Sequence, residues 1–201
     1  MRAIRLFGDP VLRTPTTAVT VFDARTRALA ADLLDTVGLP GRAGVAAPQI
    51  GVAVRAFAWS VQGLSGVVFN PVLAGLAGSQ DDDEGCLSMP GRFHPTPRAA
   101  RATVTGLDAL GAPVTVQGEG LLARCLQHET DHLDGRLFLD RLDREVRRVA
   151  MRALRARTAA PSGPIGGGLP SRGAAGVARR GQVRVAPAPH VGAGASSSST
   201  R

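Results

Sequence analysis

The sequence contains no lysine and no tyrosine; all 24 of its basic residues are arginine. Chemistry that depends on a lysine amine, such as a Schiff base or a phosphate-cradling P-loop, is therefore excluded. Two cysteines, Cys86 and Cys125, are too few for a disulfide-built secreted scaffold. Apolar stretches break off well short of the roughly 18 residues that a membrane-spanning helix needs. The opening MRAIRLFGDPVLRTP has neither the unbroken apolar core nor the small-residue cleavage site of a signal peptide. These absences predict a soluble, intracellular protein with no membrane partner.

The formal charge of +8 is unevenly spread. Residues 1–157 carry 19 Arg against 16 acids, a balance of +3, whereas residues 158–201 carry 5 Arg and no acid. In that tail 29 of 44 residues are Gly, Ala, Ser or Pro, with six large aliphatics and no aromatic. Such a segment cannot bury enough surface to offset its ordering entropy, and it is expected to be disordered. The chain divides into a domain over 1–157 and a basic tail over 158–201.

Within the domain, Asp23 is placed to cap a helix over 24–37, ended by Gly38, Pro40 and Gly41. Strand-like runs follow at 52–61 and 66–73, then at 101–107 and 112–117 around a turn at Asp108–Gly111. A helix is expected from Leu121 to Leu133, stopped by Asp134-Gly135. A final helix over 143–157 puts Val146, Val149, Ala150, Ala153 and Leu154 on one face. Strands and helices do not alternate as βαβ units, so the pattern reads as α+β.

The chemistry lies in Gln127-His128-Glu129-Thr130-Asp131-His132. Imidazoles four apart on a helix share a face and can close on one metal ion. Glu129 leans toward the same place without being a ligand and could move a proton there. The plain rival is a helix with two surface histidines and a solvated charge pair. For a third ligand, the position six residues after His132 is Phe138, and Glu145 falls on the last, basic helix. The better candidate is Cys86 in Glu84-Gly85-Cys86-Leu87-Ser88, giving a thiolate and two imidazoles with an open fourth position; its rival is a buried, inert cysteine.

Three segments, Gly44-Val45-Ala46-Ala47-Pro48-Gln49, Glu84-Gly85-Cys86-Leu87-Ser88 and Gln127-His128-Glu129-Thr130-Asp131-His132-Leu133-Asp134-Gly135, resemble the three signature motifs of the peptide deformylase family, in order and at similar spacing. The resemblance runs from about Leu6 to about Leu154. It implies small mixed or antiparallel sheets packed around a central metal-binding helix. It also implies removal of formate from the N-formylmethionine of nascent peptides. By resemblance Cys86, His128 and His132 hold one divalent ion, Fe²⁺ by preference, with Zn²⁺, Ni²⁺ or Co²⁺ as substitutes. A water activated by the ion attacks the formyl carbon, and Glu129 carries its proton to the leaving amine. Gln49, through its side-chain amide, and Leu87, through its backbone N–H, match the oxyanion donors. Gly44 and Gly85 match positions beside the substrate backbone, while Leu121 and Cys125 match the wall of a methionine pocket. Glu84 and Arg98 match an ion pair that braces the cysteine loop.

Departures stand beside the matches. Arg42 occupies the position where the first motif usually opens on glycine, with Gly41 just before it as a candidate replacement. Arg124 stands where an apolar pocket residue is common. Asp131 either orients a neighbouring histidine or serves only the helix surface. His94 and His190 read as solvated, and Trp59 as core. A disulfide between Cys86 and Cys125 is the rival reading for the two cysteines. Rival functions are a diverged paralogue with weak deformylase activity and a zincin-type endopeptidase. The six Arg of residues 144–157 and the tail suggest ribosomal RNA as a partner for a chain otherwise expected to be a monomer.

Overall fold

The structure, a computed structural model, describes residues 2–158 and 184–187. Helix α1 (Ala24–Val37) starts where expected, because the Asp23 carboxylate accepts the N–H groups of Arg25 and Thr26 at 2.8 and 3.2 Å. Among the described residues eight strands follow: β1 (Gly44–Ala46), β2 (Ala56–Val61), β3 (Leu64–Ala77), β4 (Asp83–Cys86), β5 (Met89–Pro95), β6 (Arg101–Leu107), β7 (Pro113–Glu119) and β8 (Arg184–Pro187). Helix α2 (Gly120–Leu133) comes between β7 and β8, and α3 (Arg144–Thr158) follows it.

Six strands form one antiparallel sheet in the order β1-β2-β3-β6-β7-β8, and β4 and β5 form a separate hairpin. Alternation along β2 sorts the layers. Phe57, Trp59 and Val61 pack with Leu122 and Leu126 of α2, while Ala56 and Ala58 pack with Ala30 and Leu33 of α1. The two helices therefore cover opposite faces of the large sheet. A third apolar cluster joins Cys86 and Met89 of the hairpin to Phe138, Leu139, Ala150 and Leu154. This α+β arrangement puts α2 in the middle, between the large sheet and the hairpin.

Several expectations change in detail. The run 52–61 contributes a strand only from Ala56, whereas the run 66–73 extends to Leu64–Ala77 across two bulges. At the first bulge Asn70 (φ 49°) clasps the backbone of Val19, accepting its N–H and donating to its carbonyl. The β4–β5 hairpin and the short β1 were not expected as strands. His94, expected to be solvated, lies half-buried on β5 with its ring 6.3 Å from that of Phe138. The last helix buries Ala150 and Leu154 but leaves Val146 and Val149 exposed, so its core stripe is narrower than its apolar stripe. Within the tail, Arg184–Pro187 pairs with Gln117–Val114 of β7, where no regular structure was expected. Apart from Thr158, which ends α3, the remainder of the tail, His190 included, lies outside the described residues. Trp59 is fully buried, as expected.

Candidate metal centre

Helix α2 is buried at every residue from Leu122 to Leu133, so its polar side chains need internal partners. Gln127 clasps Ala99, accepting its N–H and donating to its carbonyl, both at 3.0 Å. Thr130 donates back to Leu126 O at 2.7 Å. The helical period puts His128 and His132 on one face with ring centroids 4.9 Å apart.

The hairpin brings Cys86 to the same point. Met89, buried and paired with Cys86 in register, anchors the turn, and Cys86 Sγ comes within 3.2 Å of His132 Nε2. Ligating atoms of Cys86, His128 and His132 all lie within 4.8 Å of one another. Nδ1 of His128 faces Glu84 Oε1 at 2.6 Å, which leaves its Nε2 for a ligand. His132 Nδ1 and Glu129 Oε2 are buried without a hydrogen-bond partner. Two imidazoles and a thiol, beside an unanswered carboxylate oxygen, fit a thiophilic or borderline divalent ion. Both cysteines are free, which sets aside the disulfide.

Burial sets the electrostatics of this centre. It pushes Glu129 up to about 7, against the pull of His128. Burial opposes charge on both rings, yet Cys86 and Glu84 hold His128 well above the usual imidazole range. Burial and the neighbouring His128 push His132 well below it. Burial, with Glu129 and Glu84 near, also drives the Cys125 thiol well above its ordinary range. Cys125 thus stays a thiol, donating to Ala43 O at 3.2 Å.

Gln49 sits in a short 3₁₀ turn (Ala47–Ile50) after β1. Its Oε1 accepts the Ala46 N–H at 2.8 Å, which turns Nε2 toward Ser88 Oγ (3.3 Å) and Cys86 Sγ (3.5 Å). A cavity of about 400 Å³ opens on this group, lined by Gly44, Gly85, Leu87, Leu121, Cys125 and Glu129 among others. A Cβ at Gly44 would lie 2.3 Å from Glu129 Oε1, so glycine is required there by the chain's own acid. At Gly85 the obstacle is the ring of Phe93. Leu121 is 57% exposed and forms a rim of the cavity, not a buried wall.

The departures resolve. Gly41 takes the left-handed conformation (φ 79°), and among the described residues Arg42 is not one of those with positive φ. The Arg42 guanidinium instead donates to Thr36 O at the end of α1. Arg124 is buried, and its Nη1 donates to Glu84 Oε2 and to Thr96 O, both at 2.9 Å. Arg98 meets Glu84 through two bonds, of 2.9 and 2.6 Å. Asp131 does not reach His132; it is buried and accepts from Arg98 and Arg141. Glu145, the downstream acid, is exposed and pairs with Arg148.

Sequence reasoning missed several of these neighbours. Ser88 lay inside a quoted motif without a role, Arg124 was read as a misfit, and Arg141 and the stacking of Phe138 on His128 (6.2 Å, 25°) went unread. The one available signal was helical spacing: Arg124 lies a full turn before His128.

Comparison with known proteins agrees with the fold. Residues 1–148 match the family model described as polypeptide deformylase. The chain is 55% identical over 152 residues to a peptide deformylase of Acidothermus cellulolyticus, covering 76% of this chain and 84% of the relative. With one from a Parafrankia species it shares 50% over 154 residues, with the same coverage of both chains. Among solved structures, a peptide deformylase from Legionella pneumophila superposes with a TM-score of 0.72 at 39% identity, covering 80% of this chain and 99% of that one. Its counterpart from Thermus thermophilus gives 0.72 at 41% identity, covering 78% and 94%.

Proposed function

The chain belongs to the polypeptide deformylase family, and from that premise we propose which of its residues perform the reaction. It is a metal-dependent hydrolase that removes the formyl group from the N-terminal N-formylmethionine of nascent polypeptides and releases formate. In our reading Cys86, His128 and His132 hold the metal, Fe²⁺ by preference, with Zn²⁺, Ni²⁺ or Co²⁺ as substitutes. When bound, such an ion supplies Lewis-acid polarisation and makes water nucleophilic near neutral pH.

The chain's own residues supply the rest. Glu129, buried and raised to about 7, is poised to take a proton from water and deliver it to the leaving amine. Gln49 Nε2, its direction fixed by the Ala46 N–H on the opposite end of the amide, is a donor for charge developing on the formyl oxygen. The Leu87 N–H is the second donor in this reading. In this reading Gly44 and Gly85 lie beside the substrate backbone, and Leu121 and Cys125 line the space for the first side chain. Glu84 and Arg98 brace the cysteine-bearing hairpin.

The observation that carries the reading is the convergence of Cys86 Sγ and His132 Nε2 at 3.2 Å beside an unpartnered Glu129 oxygen. It is tested by anaerobic purification, metal analysis and formate release from formyl-Met-Ala-Ser. Iron-loaded protein that releases no formate would overturn it.

We further read residues 1–157 as the catalytic domain of a monomeric, cytoplasmic enzyme. Among the described residues no helix is long and apolar enough to cross a membrane. Helix α3 exposes Arg144, Arg152, Val146 and Val149, a surface suited to ribosomal RNA near emerging substrates, with the basic tail adding charge.

A further inference from the structure

We propose that Arg141 is a positioning residue for His128, acting through Asp131, Arg98 and Glu84. The chain of contacts is continuous. Arg141 donates to both oxygens of Asp131, from Nη2 to Oδ1 at 2.5 Å and from Nε to Oδ2 at 3.1 Å. Asp131 Oδ2 also accepts from Arg98 Nη1 at 2.6 Å. Arg98 uses its other two nitrogens on Glu84, whose Oε1 it shares with Nδ1 of His128.

Two physical features make this chain transmit position. Arg98 is held at all three nitrogens by two carboxylates, and its guanidinium is a rigid planar fork. Asp131 therefore cannot turn without turning Arg98, and Arg98 cannot turn without moving the oxygen that holds His128. The interior links are buried, with side chains 3–5% exposed, so a lost bond leaves a poorly solvated charge behind. Arg141 alone is open, at 41%, and among the described residues it is the side chain that donates to Asp131 Oδ1.

A second contact ties the same segment to the same ring. Arg141 closes the 3₁₀ turn Phe138–Arg141, and Phe138 stacks on His128 with centroids 6.2 Å apart. The turn thus grips His128 by its ring face through Phe138 and by its Nδ1 edge through the relay. Arg141 also stands at the junction with the basic helix α3, which links that helix mechanically to the metal centre.

The inference rests on the reading of His128 as a metal ligand, and the test separates the two. Full-length wild type, R141Q, R141K and the control R147Q (whose arginine pairs with Asp140 nearby) are loaded with Co²⁺. Their visible spectra and rates of Co²⁺ loss to a chelator are measured along with kcat and KM. Residues behind a metal ligand typically alter metal affinity by about 10–100-fold. Two links further out, R141Q is expected to speed Co²⁺ loss about 3–10-fold, shift the cobalt bands and lower kcat, with KM within about twofold. R141K, which keeps the charge without the fork and so guards against loss of the fold, should fall between. R147Q should match wild type. A folded R141Q with wild-type spectrum and release rate would overturn the proposal, as would an equal change in R147Q. Wild type that takes up no Co²⁺ would overturn the metal reading and this inference together.

Discussion

Glu84 and His128, 44 residues apart in the chain, meet at 2.6 Å between Oε1 and Nδ1. The same carboxylate accepts from Arg98 and Arg124. One buried acid thereby faces an imidazole of the candidate metal site and pairs with two buried guanidinium groups, Arg98 sharing a second carboxylate, Asp131. Glu84→Gln should leave the cations under-compensated and weaken the hold on His128. Breaking a buried pair costs about 3–5 kcal/mol, measurable by urea unfolding. Metal retention should fall about 10–100-fold, measurable by chelator competition.

The acid limb of stability should carry the same signature. Burial alone would raise the Glu84 carboxyl, but hydrogen bonds from Arg98 and His128 outweigh it and hold the group well below the ordinary 4.5. The unfolded chain therefore binds this proton first as pH falls. Stability from Glu84 is complete above about pH 4.5 and is lost progressively below it, at up to about 1.4 kcal/mol per pH unit. The difference in unfolding free energy between wild type and Glu84→Gln should shrink from about pH 5 toward about pH 3. A constant difference would contradict the assignment.

In the proposed reaction Glu129 carries the proton and is not a ligand. Glu129→Ala should reduce formate release by at least about 10²–10⁴-fold. Metal content after purification should remain at the wild-type level, because the Cys86, His128 and His132 donors are untouched. Metal loss in parallel with activity would move Glu129 into the ligand set.

Gln49 tests the oxyanion donor. Gln49→Leu should cost about 10²–10³-fold in kcat with little change in KM, because the bond strengthens only as charge develops. A pure KM effect would instead make Gln49 a substrate clamp.

The basic helix tests the ribosome contact. Reversing Arg144 and Arg152 to Glu in the full chain should abolish co-sedimentation with ribosomes at low salt and leave formate release from a tripeptide unchanged. Wild-type retention should fall steeply as salt rises, as phosphate contacts require. Retention that ignores both salt and charge reversal would rule the surface out.

Much of this protein is written locally. Asp23 and the apolar spacing after it determine α1, and the His128–His132 interval determines that two imidazoles share a helix face, because a 3.6-residue period needs no distant partner. The motif around Cys86 identified a third candidate ligand by its chemistry and its resemblance to a family. Local pattern was weaker where glycine and proline interrupt alternation. The β4–β5 hairpin, with Gly85, Pro90, Gly91 and Pro95, escaped notice for that reason. It was ambiguous where an amphipathic stripe is wider than the surface it covers, as at Val146 and Val149.

What the sequence by itself determined, then, is the inventory of the site: two histidines and an acid on one helix, a thiol, and an amide within a proline-fixed turn. Only the tertiary structure decided how the charges are shared. Arg124, which lines the cavity, is held there by Glu84 and Thr96 O, and Asp131 serves Arg98 and Arg141, not His132. Spacing along a chain specifies which side chains share a face. It cannot specify which carboxylate a buried guanidinium will meet, because that depends on strands and helices brought together from distant segments, where the cost of leaving a charge unpaired selects among the partners within reach.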